Sequence, residues 1–109
     1  MSFDKGLAQR IRDVLLDQDG LVEKRMFGGI AFMVYGNMAC GVVREDLMVR
    51  VGPDAYEGAL GQPHARPMDF TGRPMRGMVY VDGAGLEEED DLAAWVLRGV
   101  NFAMSLPPK

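Results

Sequence analysis

Arg25-Met26-Phe27-Gly28-Gly29 leads into Phe32-Met33-Val34-Tyr35-Gly36-Asn37-Met38, and Asp69-Phe70-Thr71-Gly72-Arg73-Pro74-Met75-Arg76-Gly77 echoes it downstream. In both stretches glycines and methionines interrupt strand-like runs at fixed places. Gly36-Asn37 suits a two-residue hairpin turn, where positive φ is required and a side chain clashes. Gly28-Gly29 sits at a strand junction and suits a bulge or tight turn. Working outward, the pattern predicts strands over 23–27, 30–35, 38–44 and 47–51, with Arg44-Glu45-Asp46 as a second polar turn. Connections this short join antiparallel neighbours, because a parallel pair needs a long crossover.

Helical periodicity frames this meander. Phe3, Leu7, Ile11, Val14 and Leu15 recur three and four apart, with Arg10, Arg12 and Asp13 opposite. Ser2 is placed to cap that helix and Gly20 to follow its end. Its mixed-charge polar face marks a core-packing helix rather than one lying on a membrane surface. Pro53 fits the first turn of a short second helix, with Asp54 and Glu57 near its positive end, Tyr56, Ala59 and Leu60 as its apolar stripe and Gly61 at its close. Two strands, 66–70 and 77–81, flank the Gly72-Arg73-Pro74 turn. After Gly83-Ala84-Gly85 a last helix runs through Leu92, Trp95, Val96, Gly99, Phe102 and Ala103 until Pro107-Pro108 stop it. The order is helix, strand meander, helix, two strands, helix. So few helices do not cover both sheet faces, so the expected fold class is α+β: a two-layer domain, an antiparallel sheet with helices mainly on one face.

Strand parity sorts the side chains. Phe32, Val34, Leu47, Val49, Val51, Val79 and Val81 share one face, beneath the helices. Met33, Tyr35, Cys40, Val42, Met48, Met78 and Tyr80 then fall on the other, which is too apolar for a solvated face. A contiguous apolar patch rich in methionine marks an interface. Met33, Tyr35, Met48, Met78 and Tyr80 are therefore the candidate interface residues, meeting another protein or a second copy of the chain. The competing arrangement divides the helices between the faces, or shifts the parity by a bulge at Gly41.

Composition sets the outer limits. The chain has 109 residues, enough for one core, and 48% hydrophobic with 26% charged residues is ordinary globular usage. The net charge of -4 argues against a dedicated DNA binder, whose affinity rests on phosphate neutralisation. Nucleic acid is not expected to be bound directly. No apolar stretch approaches membrane-spanning length, and no basic segment followed by an apolar run opens the chain, so a cytoplasmic location is expected. One cysteine excludes an intrachain disulfide, and no Cys/His spacing suggests zinc.

Few residues offer chemistry. His64, the single histidine, is a natural general base, but no serine or cysteine is near it in sequence. Cys40 lies within a strand with no adjacent basic residue, which reads as a small buried apolar side chain. Arg66, Arg73 and Arg76, accompanied by Asp69, form the one locally basic stretch, and guanidinium forks there suit a carboxylate or phosphate. Arg25 and Arg50 are placed to join from neighbouring strands. The plainer arrangement pairs Asp69 with one arginine and leaves the others solvated. The candidate binding residues are thus Arg66, Asp69, Arg73, Arg76 and His64; no catalytic set and no metal-ligand set is expected. The acidic run from Glu87 to Asp91 lacks calcium-loop spacing and complements the dipole of the last helix. Neither G-x-G-x-x-G nor Walker A spacing occurs, and no cofactor is expected.

From Arg25 to Lys109 the chain resembles the N-terminal domain of the TfoX/Sxy family of bacterial competence regulators. The resemblance rests on Arg25-Met26-Phe27-Gly28-Gly29, Gly36-Asn37-Met38, Arg50-Val51-Gly52-Pro53, Pro67-Met68-Asp69-Phe70-Thr71-Gly72-Arg73-Pro74-Met75, and the ending from Trp95 to Leu106-Pro107-Pro108-Lys109. It implies a two-layer α+β domain similar to the secretion-chaperone fold, with 1–109 as a single such domain. It also implies a regulatory or protein-interaction role in a bacterial cytoplasm. Competence regulators of the family carry a helical domain after this one, whereas here the expectation is an N-terminal-domain-only protein. The expected function is a non-enzymatic regulatory or protein-interaction module linked to transcription or competence regulation, with a protein partner or a homodimer. The alternative is a small-molecule or anion-binding protein, or an enzyme, using the 66–76 segment and His64.

Overall fold

The computed structural model describes residues 3–26, 28–68 and 76–109. Six strands, β1 (Leu21–Met26), β2 (Gly29–Val34), β3 (Asn37–Val43), β4 (Asp46–Arg50), β5 (Ala65–Pro67) and β6 (Met78–Val81), form one sheet in the order β1-β2-β3-β4-β6-β5. Every neighbouring pair is antiparallel. Helices α1 (Lys5–Val14), α2 (Tyr56–Leu60) and α3 (Glu89–Met104), with a 3-10 turn over Gly83–Leu86, complete an α+β domain.

The main core lies between the helices and one sheet face. Leu7, Ala8, Ile11 and Leu15 from α1 and its end meet Leu92, Trp95, Val96, Val100 and Ala103 of α3 over Phe32, Val34, Leu47, Val49, Val79 and Val81. Tyr56 and Ala59 of α2 join the same core, so the helices share one face. α3 crosses β3 and β4 with no clearance at Gly99, where a Cβ would press into the Ala39 carbonyl. The cap of α1 is Asp4, whose carboxylate accepts from the Leu7 N–H at 3.0 Å. The expected cap Ser2 lies outside the described residues. α2 begins at Tyr56, three residues after Pro53, and α3 carries Glu89, Asp90 and Asp91 in its first turn.

Two of the expected face assignments need correction. Cys40 and Val42 lie on the helix side, packed with Phe32 and Leu47. The β2–β3 turn is Tyr35-Gly36, one residue earlier than the Gly36-Asn37 pair, with φ of 50 and 86 and Val34 opposite Asn37. The register then shifts between Phe32 and Met33: Met33 faces Met38, Phe32 faces Cys40, and Ala39 is left over as a bulge. A one-residue slip moves every later side chain to the opposite face. Asn37 explains the turn position. It is buried, and its amide donates to the carbonyls of Pro107 at 3.0 Å and Ala103 at 3.4 Å, which holds it in the strand. Tyr35 takes the strained turn position instead, its ring lying flat against Gly20, where a Cβ would come within 2.6 Å.

Candidate functional site

The basic stretch was expected to gather arginines around an anion. Arg66, in β5, stands opposite Tyr80 of β6, with its guanidinium 4.8 Å from the tyrosine ring centroid. Strand order then supplies two acidic partners: Asp46 opens β4 and Asp82 follows β6. Arg66 Nη2 lies 2.6 Å from Asp46 Oδ2, and Nε lies 3.0 Å from Asp82 Oδ1. Partial burial pulls the Arg66 pKa down, but the hydrogen bond and charge of Asp46, then of Asp82, together outweigh it and leave it raised. Two carboxylates already balance this guanidinium. Asp69, its sequence-stretch neighbour and an expected partner, lies outside the described residues, as does Arg73.

Arg76 sits elsewhere. Its guanidinium is 5.7 Å from the Tyr56 ring and Nη1 is 3.7 Å from Glu57 Oε2, both groups well exposed on the α2 side. His64 occupies a third place. It adopts φ 68, its carbonyl accepts from the Asp82 N–H at 3.0 Å, and its ring abuts Gly85. The groove beside it, about 300 Å³, is lined by Gln62, Pro63, His64, Ala84, Gly85, Asp91 and Trp95. Neither Arg66 nor Arg76 lines it. The two arginines also differ in every partner named here.

Cys40 is fully buried, and desolvation pushes its thiol pKa up to about 12. A neutral thiol without contact to water is no nucleophile. Among the described residues no three His, Cys, Asp or Glu side chains group as a metal site. Arg50, expected near the basic stretch, packs 5.3 Å from the Phe102 ring, and Arg25 packs 5.6 Å from Phe3.

The candidate interface residues separate into two groups. Met48, Met78 and Tyr80 are 1%, 5% and 4% exposed and form a second cluster with Val43 and Met68, with Met38 packed against it. The apolar patch exists, but these three residues are closed within the chain. Met33 is half-buried and Tyr35 is 43% exposed, so the accessible part of the set lies toward β1. There Val22, 55% exposed, stands opposite Met33. Sequence reading gives extended structure from Val22, with the first strand around 23–27, and so missed Leu21, although the alternation of Leu21, Glu23 and Arg25 with Val22 and Lys24 extends the strand backward. It also missed Asp46 and Asp82 as partners of Arg66. That pairing follows only once β4, β6 and β5 are known to be adjacent.

The motif glycines have local jobs in this arrangement: Gly29 lies against the Val42 carbonyl and Gly28 takes φ 72. A family model described as the TfoX N-terminal domain matches residues 13–103. The chain belongs to the TfoX N-terminal domain family. The match takes in the whole sheet, α2 and nearly all of α3. The TfoX N-terminal domain is associated with competence regulation, which agrees with a regulatory role. No curated protein and no solved structure matches the chain. No helix among the described residues is long and apolar enough to cross a membrane.

Proposed function

We propose that this chain is a regulatory protein-interaction module, working by binding rather than catalysis, in the transcription or competence control with which its family is associated. The observation that carries the reading is the family match over residues 13–103. The chemistry of the side chains supports it. The thiol of Cys40 is buried and neutral, and Arg66 does not line the groove at His64 but is spoken for by Asp46 and Asp82. A ligand-binding reading would require His64 and at least two of the arginines around one pocket, and the groove at His64 is lined by neither Arg66 nor Arg76.

The test is affinity capture from a lysate of the source cell on the immobilised, folded chain after nuclease treatment. Retention of a stoichiometric protein partner is the expected result. The same capture with Arg73→Glu/Arg76→Glu asks whether arginines orient the partner. An empty capture by well-folded bait overturns the binding of a separate protein.

A further inference from the structure

The two edges of the sheet differ. β5 is three residues long, contains Pro67 and lies beside α2, all features that discourage pairing. β1 is six residues long, four of them exposed, and among the described residues its one partner strand is β2. The Tyr35 N–H donates to the Gly20 carbonyl at 2.9 Å, which makes Gly20 and Tyr35 a hydrogen-bonded pair. Antiparallel alternation then gives the backbone bonds of Val22, Lys24 and Met26 to β2. The N–H and C=O groups of Leu21, Glu23 and Arg25 are turned to the open edge.

We propose that this edge joins two copies of the chain, β1 against β1 antiparallel about a two-fold axis at Lys24, fusing two six-stranded sheets into one. The proposal rests on the interaction-module reading and names its partner as a second copy. Charge selects the register. A two-fold axis normal to the sheet keeps every side chain on its own face, and an axis at Val22, Glu23, Lys24 or Arg25 brings outward backbone groups together. The axis at Val22 is set aside because it overlaps only residues 21–23 of β1, whereas the axis at Lys24 overlaps 22–26. Centring on Glu23 sets Glu23 against itself, and centring on Arg25 sets Arg25 against itself. Centring on Lys24 pairs Glu23 with the partner's Arg25 twice, and Val22 with the partner's Met26 twice. Opposite charges and apolar pairs directly across a ladder stabilise it, whereas like charges oppose it. Lys24 meets its own copy on the outer face, where the long stems let both ammonium groups turn to water.

The charged side chains are already ordered for this contact. Arg12 of α1 holds the Glu23 carboxylate at 2.7 and 2.9 Å, and Phe3 supports Arg25. The hydrogen bond to Glu23 raises the Arg12 pKa, against a smaller opposing effect of burial, so the guanidinium stays charged. A carboxylate has room for a second guanidinium. Pairing also covers Val22, one of the exposed large apolar side chains, beside half-buried Met33.

Sedimentation equilibrium of the full chain, from micromolar to millimolar concentration, tests this. A reversible monomer–dimer equilibrium is expected. Glu23→Arg and Arg25→Glu should each raise the dimer dissociation constant about tenfold or more, since both cross-strand pairs turn repulsive. Mixing the two variants should restore association, because each carries the charges that complement the other. Circular dichroism checks that both are folded. Amide exchange of the unaltered chain is the second measurement: Glu23 and Arg25 amides should gain protection with concentration while Lys24 does not change. A chain that stays monomeric at millimolar concentration overturns the proposal, as does a dimer indifferent to both charge reversals or concentration-independent exchange at Glu23. A monomer that still captures a separate protein overturns self-association alone.

Discussion

Gly99→Ala is the sharpest test of how α3 is seated. A Cβ built at Gly99 would lie 2.9 Å from the Ala39 carbonyl carbon and 3.4 Å from Val49 Cγ1, and closer still to the Ala39 oxygen. Comfortable carbon–carbon contact is about 3.5–4.0 Å, so α3 must lift by roughly 0.6–1 Å at this point. The obstructing atoms are backbone of β3 at its bulge, so no rotamer change relieves the overlap. Lifting α3 loosens Trp95, Val96, Val100 and Ala103 together, because all four pack in the same core. Overpacking of this kind costs about 1–3 kcal/mol, here at the upper end. Against it stands a gain of about 1 kcal/mol from replacing glycine inside a helix. The net expectation is a loss of about 2 kcal/mol. Urea unfolding followed by circular dichroism measures it, and Ala94→Gly, at an exposed position on the same helix, measures the propensity effect separately. If Gly99→Ala is as stable as the parent or gains the amount that Ala94→Gly loses, the close seating of α3 on Ala39 is refuted.

Three further outcomes are expected. Cys40 ionises in the unfolded chain near its ordinary value of about 9 and in the folded chain at about 12. Its contribution to stability is therefore complete below about pH 9 and falls by about 1.4 kcal/mol per pH unit as pH rises toward 12. Cys40→Ala should flatten that part of the curve in urea titrations at about pH 8 and about pH 10, and an unchanged pH slope would refute the buried, neutral thiol. Asn37→Ala should cost about 1–3 kcal/mol by leaving the Ala103 and Pro107 carbonyls without their donor. Limited proteolysis should then release the C-terminal residues, which in the parent are also held by the Lys109 N–H on the Tyr35 carbonyl at 2.9 Å. Gly28→Ala should cost about 1–2 kcal/mol for its left-handed φ alone, since nothing lies near a Cβ there. Gly29→Ala should cost more, because its Cβ meets the Val42 carbonyl; the reverse order in urea midpoints would contradict the β2–β3 packing.

What could be read from the sequence follows a physical division. Antiparallel strands, helices on one face and the α+β class come from periodicity, which each segment carries in itself. The faces of Phe32, Val34, Leu47, Val49, Val79 and Val81 were legible for the same reason. Cys40 and Val42 were not, because the bulge at Ala39 reverses their face; the one-residue displacement of the turn moves the register by two and alone would have kept it. The turn was set by Asn37 reaching carbonyls some seventy residues away, at Ala103 and Pro107, and no local pattern reports that reach. The described members of the candidate site stand apart for a related reason. Arg66, Arg76 and His64 are near in sequence, but β5 points Arg66 at Tyr80 while Arg76 borders α2 and His64 borders the start of α3. Proximity along a chain that alternates faces every residue says little about proximity in space.

The placement of the arginines also bears on what the molecule can bind. Arg25, Arg50, Arg66, Arg76 and Arg98 each lie within 5.7 Å of an aromatic ring: Phe3, Phe102, Tyr80, Tyr56 and Trp95. Arg10 holds the Leu86 carbonyl at 2.6 Å and Glu89 at 3.1 Å, and Arg12 holds Glu23. Each ring contact contributes only about 0.5–1 kcal/mol at an exposed site, so none of these groups is immobilised by its ring alone. A phosphate competing for Arg66, however, must displace two carboxylates, and one competing for Arg12 must displace Glu23. Association driven by phosphate neutralisation requires several free cations acting together, and the net charge of -4 works against gathering them. A backbone edge has no such competitor. At β1 no such partner stands against the outward N–H and C=O groups among the described residues, and the side chains flanking them bring one negative and one positive charge in the order that a two-fold axis pairs. Raising the salt concentration separates the two cases. An edge-paired dimer should weaken only modestly as its two Glu–Arg pairs are screened, whereas binding through arginines to phosphate should fall steeply.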